Sequence, residues 1–185
     1  MAAVEIEGRW CVVTVRRIEA NEVELLKRVR LTALQDAPDA FSSTYAGESA
    51  RPAAEWAARA SAGASGRDRS TFFAEDAGAV VGLVGGYRAP SSPSTVEVVS
   101  MWVAPEARRR GIGRVLLDAV IGWAAETDAH EVALWVMSTN EPAARLYAEM
   151  GFIPTGEHQP TGSGRSTTED RMVRSRASRV AGSGR

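Results

Sequence analysis

Alternation of apolar and polar residues with a period near two marks strands along this chain, and recurrence every three or four residues marks helices. Residues 10–18, WCVVTVRRI, are apolar and β-branched and predict a short strand. The period then changes. Val23, Leu26, Val29 and Ala33 fall at helical spacing, Asn21 with Glu24 has the form of a capping box, and Pro38 ends the helix. Residues 39–49 are polar and turn-rich around Phe41 and Tyr45, an Ala-rich helix carrying Trp56 follows Pro52, and residues 61–70 read as a flexible loop. Residues 71–75 and 79–88 are strand-like runs joined by Asp76, Ala77 and Gly78, the pattern of a hairpin.

Beyond a Pro/Ser loop at 89–94, the run TVEVVSMWV at 95–103 is the clearest strand in the chain, and a period of two places Glu97, Val99, Met101 and Val103 on one face. Pro105 stops it. A helix over 111–126 carries Val115, Leu116, Ala119, Val120 and Trp123 as an apolar stripe, and residues 131–137, EVALWVM, form a buried strand. Asn140 or Glu141 caps a further helix with Pro142 in its first turn and Gly151 at its end. Ile153 and Met172 lie in two weaker strands separated by a polar loop at 156–168, and residues 176–185 have too little apolar content to pack, so a disordered tail is expected after a single domain over 1–175. The hairpin excludes a purely parallel sheet. The fold class is therefore α/β (α+β), a mixed and largely antiparallel central sheet with flanking helices.

Composition narrows the chemistry. The 185 residues include one cysteine, Cys11, and two histidines, His130 and His158, so neither an internal disulfide nor a Cys/His zinc site is expected, and no metal. With Lys+Arg 22 against Asp+Glu 23 the formal charge is -1, which argues against a nucleic-acid partner. No run approaches the ~20 apolar residues that span a bilayer, and the first residues lack a basic segment followed by an apolar one. No membrane partner is expected, and a cytoplasmic location is.

The segment V-A-P-E-A-R-R-R-G-I-G-R at 103–114 joins a buried strand to an amphipathic helix. A helix start presents backbone N–H groups and a partial positive charge to an anion. Gly111 and Gly113 allow close approach, and Arg108, Arg109, Arg110 and Arg114 add donors, so the segment reads as a pyrophosphate site or, equally in kind, a solvated basic loop. It is neither a Walker A nor a GxGxxG loop. It resembles the GNAT superfamily of acyl-CoA N-acyltransferases. Arg108 to Gly113 fits the Q/R-x-x-G-x-G/A motif, Met101-Trp102-Val103 with Pro105 fits the strand before it, and Asn140, Ala143, Leu146, Tyr147, Gly151 and Phe152 fit N-x-x-A-x-x-L-Y-x-x-x-G-F. The match covers residues 95–153.

The resemblance implies an N-acetyltransferase that binds acetyl-CoA between the strand ending at Val103 and the strand at 131–137. Met101, Trp102 and Val103 would offer backbone groups to the pantetheine arm and thioester carbonyl. Arg108, Arg109, Arg110, Gly111, Ile112, Gly113 and Arg114 would hold the pyrophosphate, while Asn140 and Ala143 would contact the CoA arm. Tyr147 corresponds to the family's general acid. Glu97 falls where some members carry a basic glutamate, with burial raising its pKa; an arginine partner, a solvent-facing position or a water chain in its place stay open. Residues 31–59 and 156–168 would shape the acceptor site, with Phe41, Tyr45 and Trp56 as an aromatic wall or equally as core, Asp36, Asp39 and Glu48 attracting an ammonium or equally forming a solvated edge, and Trp102 lining part of the cleft. His130 would cap a helix end, and Trp123 and Trp135 would be core. The expected acceptor is a small-molecule primary amine. Protein N-terminal or lysine acetylation and a non-catalytic acyl-CoA sensor are the alternatives, and a homodimer stays open because family members are often dimers.

Overall fold

The computed structural model describes residues 4–6, 9–11, 13–89, 91–161 and 167–176, with side chains from Val13 onward except at Ala89. Strands β1 (Val4–Ile6) and β2 (Arg9–Cys11) pair antiparallel as a separate two-stranded sheet. The strand expected over 10–18 is thus divided, because β3 (Thr14–Arg17) joins a different sheet. The Cys11 side chain and the expected tail at 177–185 lie outside what is described; the Arg176 N–H still donates to His130 O at 2.8 Å.

Helix α1 (Val23–Asp36) begins at Glu22, and no side chain caps it. The Asn21/Glu24 box does not form. Glu22 instead accepts from the Glu19 N–H at 2.8 Å and pairs with Arg16 at 2.6 Å, which ties the helix start to β3. Helix α2 (Tyr45–Ser49) is a short turn capped by Thr44 Oγ1, and α3 (Ala53–Ser65) runs into the segment expected to be a loop. The reason is Gly63. A Cβ there would lie 2.6 Å from Thr71 Oγ1, so this glycine lets α3 lie close on the sheet and is no turn signal.

The main sheet has the order β3-β4-β5-β6-β7-β9-β8, formed by β4 (Arg69–Asp76), β5 (Ala79–Ala89), β6 (Ser92–Val103), β7 (Glu131–Met137), β8 (Ile153–Pro160) and β9 (Thr168–Ser175). Strands β6 and β7 pair parallel; the other described pairings are antiparallel. Helix α4 (Ile112–Glu126) crosses between β6 and β7 and buries Leu116, Val120 and Trp123 against one face, where the Cβ positions of Gly82 and Gly86 meet Leu116 and Val120. Helices α1 and α3 cover the other face with Leu34 and Trp56 buried. Burial of each such large side chain stabilises the fold by roughly 1.5–3 kcal/mol. Helix α5 (Glu141–Glu149) follows β7. His158 lies in β8 with its ring exposed, whereas a loop was expected there. No helix among the described residues is long and apolar enough to cross a membrane.

Candidate active site

The sheet opens at one place. Strands β6 and β7 pair from Thr95↔Glu131 to Val98↔Leu134 and no further, although β6 continues to Val103 and β7 to Met137. Beyond that point the facing edges of both strands have no ladder partner among the described residues. A bulge in β6 coincides with the opening: Gly85 pairs with Val99 but Leu83 with Trp102, so one extra residue is accommodated, and Ser100 has φ 58. The extra residue reverses the alternation. Val99 keeps the face of Glu97, whereas Met101 turns toward α4, its Cε 3.4 Å from the Gly113 Cβ position. The shared face expected for Glu97, Val99, Met101 and Val103 therefore ends at the bulge. Trp102 takes the place beside Leu83 and donates to Asp36 Oδ2 at 2.8 Å, so its ring is buried rather than lining the cleft.

A cavity of about 650 Å3 occupies the opening, with Val99, Met101, Trp135, Met137, Asn140 and Tyr147 in its walls. Val99 is 39% exposed, an apolar side chain left facing it. Two diverging strand edges with unpaired backbone groups suit an extended amide-bearing ligand arm, which can bond to main chain as a strand would. Trp135 was expected in the core; it is a wall of the cleft, with the Arg171 guanidinium 5.2 Å from its ring centroid.

At the start of α4, Gly111 is the N-cap with φ 74, a left-handed conformation that glycine adopts without strain. Arg114 and Val115 donate to Gly111 O, and the N–H groups ahead of them have no helical acceptor. Gly113 serves packing: a Cβ there would lie 2.9 Å from Leu146 Cδ2 of α5. Of the four arginines, three have carboxylate partners. Arg108 pairs with Asp36, Arg110 with Asp76 at 2.7 Å and Arg114 with Glu149 at 2.8 Å, while Arg109 is exposed with φ 60. The Arg108 and Arg114 pairs lie at the surface, where an ion pair is worth about 0–1 kcal/mol and can open for a phosphate, whereas the Arg110–Asp76 pair is partly buried.

Asn140 caps α5 by accepting from the Ala143 N–H at 3.3 Å, and Ala143 packs half-buried on the core. Tyr147 is buried in the cleft wall with its ring 6.0 Å from Phe152, and burial pushes its hydroxyl up to about 12. Glu97 lies in the wall opposite, 7% exposed, and accepts from Arg171 Nη2 at 2.7 Å. On β5 its direct ladder partner is Tyr87, whose hydroxyl is pushed up by burial and by the Glu97 charge.

The acceptor side differs most from expectation. Phe41 lines the cleft and Trp56 is buried beside it, but Tyr45 is exposed. Asp36 is engaged by Trp102 and Arg108, and Glu48 by Arg51 at 3.0 Å and Arg59 at 2.6 Å, so neither stands ready for an ammonium. Glu48 faces the cavity all the same, together with Arg30, Arg59, Arg69, Tyr87 and Glu169, and these last five carried no sequence motif. Glu169 opens the charged run Glu169-Asp170-Arg171 at the start of β9, which in the sequence reads as a solvated strand edge and gives no signal of a site. Among the described residues the His130 ring bonds to no carbonyl of α4; Thr127 Oγ1 instead donates to Trp123 O at 3.0 Å at the end of that helix.

The family model described as Acetyltransferase (GNAT) family matches residues 32–152, and the chain belongs to that family. It is 34% identical over 76 residues to the phosphinothricin N-acetyltransferase of Streptomyces coelicolor, an alignment covering 41% of this chain and 44% of that one. The chain spans less than half the length of the curated relatives it matches first. Its fold is similar to that of a GNAT-family acetyltransferase from Streptococcus pneumoniae, with TM-score 0.76 and 20% identity over 89% of this chain and 100% of that one. It is also similar to yncA of Salmonella typhimurium, solved with its cofactor acetyl-CoA, with TM-score 0.69 and 21% identity over 89% and 94%.

Proposed function

We propose that the chain transfers the acetyl group of acetyl-CoA to the primary amine of a small molecule, by direct attack with both substrates bound. The observation that carries this reading is the divergence of β6 and β7 beyond Val98 and Leu134, with the α4 start at one side and Tyr147 in the wall. Acetyl-CoA supplies an activated acyl group. Main-chain groups of Met101, Trp102 and Val103 bind its arm, with one N–H placed to stabilise the negative charge that grows on the thioester oxygen during attack. The N–H groups of Gly111, Ile112 and Gly113 hold the pyrophosphate, helped by Arg108, Arg109, Arg110 and Arg114 once their surface pairs exchange. Asn140 and Ala143 border the arm.

Proton handling falls to two residues. The acceptor arrives as an ammonium, and Glu97 takes its proton, directly or through water, with Arg171 orienting the carboxylate. Tyr147, held protonated by burial, donates a hydrogen bond to the departing sulfur. A small acceptor accords with the similarity to a relative named for phosphinothricin.

Thiol release from acetyl-CoA across a panel of small amines and peptides tests this. Turnover with at least one small amine, above the rate of acetyl-CoA hydrolysis, is the expected result. Release with peptides alone would move the assignment to protein acetylation, and release with neither would contradict transfer. In the same assay Glu97→Gln should lower kcat/KM by about 100-fold and abolish the acidic limb of its pH profile. A profile identical to wild type would remove Glu97 from the mechanism.

A further inference from the structure

The acceptor end of the cleft is divided by charge. Arg30, Arg59 and Arg69 line it from α1, α3 and β4, whereas Glu97 and Glu169 line it from β6 and β9, Glu97 paired with Arg171 and Glu169 accepting from the neutral Gln159 Nε2 at 2.9 Å. Glu48 stands on the arginine side, but its one carboxylate is shared among Arg30, Arg51 and Arg59. Arg69, over the Tyr87 ring at 5.2 Å, has no ion pair among the described residues. That side keeps an excess of positive charge.

Arg30 lacks partners most clearly. Its side chain is 6% exposed; Nη2 donates to Ser43 Oγ at 2.6 Å and stands 3.9 Å from Glu48 Oε1, with the guanidinium 4.6 Å from the Phe41 centroid. Nε and Nη1 are buried with no acceptor among the described residues, which leaves three of its five N–H bonds unused there. Trp56 Nε1 is likewise buried without an acceptor among the described residues. Arg30 and Trp56 line one pouch of about 60 Å3, together with Arg59, Arg69 and, from the bulge, Val99 and Ser100. Burial lowers the Arg30 pKa to about 10, which leaves it charged at neutral pH. Unpaired buried donors are costly, and more so when charged, so a site that retains them calls for a ligand that accepts.

We infer that this pouch binds a carboxylate of the acceptor, which makes the substrate a zwitterion of the amino-acid type. The ammonium lies toward Glu97 and Glu169 and the carboxylate toward Arg30, Arg59 and Arg69, on opposite sides of the bulge where the thioester is placed. A pouch of this size admits a group of a few heavy atoms and no more. The inference rests on the reading of this cleft as the place of amine acetylation, and it names the class of amine.

Calorimetric titration with free L-amino acids and their matching carboxamides, with CoA present so that no turnover occurs, tests it separately from catalysis. At least one acid should bind about 10- to 100-fold more tightly than its carboxamide. Arg30→Gln should remove that preference and leave the carboxamide affinity unchanged. Arg69→Gln, a change at an exposed side chain with no ion pair to lose, should reduce the preference several-fold even if the Arg30 variant does not fold. Equal affinity for acids and amides, binding of neither, or a preference that survives both substitutions would overturn the proposal. Selective carboxylate binding without thiol release from any amine would refute the transferase reading and leave the pouch assignment standing.

Discussion

Replacing Tyr147 by Phe should lower kcat by about 10²- to 10⁴-fold with little change in the KM for acetyl-CoA. The ring contact with Phe152 survives the substitution, so the variant loses an oxygen and not the packing of the cleft wall. On the proposed mechanism, what disappears is the hydrogen that meets the departing sulfur. A thiolate with a conjugate acid near ~8.5 is too weak a base to keep a proton taken from a phenol pushed up to about 12, so the hydroxyl would stabilise the departing thiolate as a hydrogen-bond donor, and the sulfur gains its proton finally from solvent or from the proton the amine loses. The same burial has a signature in stability. The unfolded phenol ionises near ~10 and the folded one near 12, so its contribution is full below pH 10 and is lost as pH rises toward 12, by about 2–3 kcal/mol. Urea unfolding at pH 9 and pH 12 should show this alkaline loss in wild type and less of it in Tyr147→Phe. An unchanged kcat in the variant would remove this role of Tyr147, whatever the unfolding curves show.

The second large effect is structural. Glu48→Ala should destabilise the fold by about 3 kcal/mol, a fall in Tm of about 6–12 °C. Glu48 is 3% exposed, and its carboxylate is the shared partner of Arg30, Arg51 and Arg59. Arg51 and Arg59 reach solvent and lose little, but Arg30 would become a buried cation with only the Ser43 hydroxyl as partner. Burial pushes the Glu48 pKa up, and the Arg59 hydrogen bond with the arginine charges more than offsets it, so the carboxyl sits below its ordinary value. A depressed carboxylate contributes stability above its unfolded pKa, and that contribution is lost as pH falls through the folded value. Wild type should therefore lose stability below about pH 4.5 more steeply than Glu48→Ala, as thermal melts between pH 3 and 7 would reveal. Equal Tm values for the two at pH 7 would show that the cluster contributes nothing.

Strands and helices with local signatures were legible in the sequence. The run at 95–103, the helix at 111–126 and the Asn140-capped helix owe their form to period, glycine and proline, and the observed β6, α4 and α5 begin and end within a few residues of them. Features decided by distant partners were not legible. Gly63 looks like a loop residue until Thr71 is placed against it, and Asn21 looks like a cap until Arg16 draws Glu22 into that position. The bulge at Ser100 leaves no mark in the pattern of apolar residues, yet it decides which side chains share the cleft with Glu97.

Charge shows the same division. The arginine cluster at 108–114 stands out in the chain, but Asp36, Asp76 and Glu149, which balance it, come from three separate elements. The acids expected to greet an amine, Asp36 and Glu48, are held by arginines instead, and the unpaired donors of Arg30 and Trp56 emerge only when α1 and α3 close over β4 and β5. A motif names the residues that meet a common ligand. The residues that meet the particular acceptor are assembled by the fold.

Thermal unfolding of the protein with acetyl-CoA, CoA and NAD tests the central claim most directly, because a ligand that binds the folded state stabilises it by an amount that grows with the logarithm of its concentration over Kd. Acetyl-CoA at about 100 times its Kd should add about 2.7 kcal/mol, a rise in Tm of roughly 5–10 °C, with CoA close behind and NAD without effect. No shift with acetyl-CoA at millimolar concentration would contradict the assignment of the β6–β7 opening to that ligand.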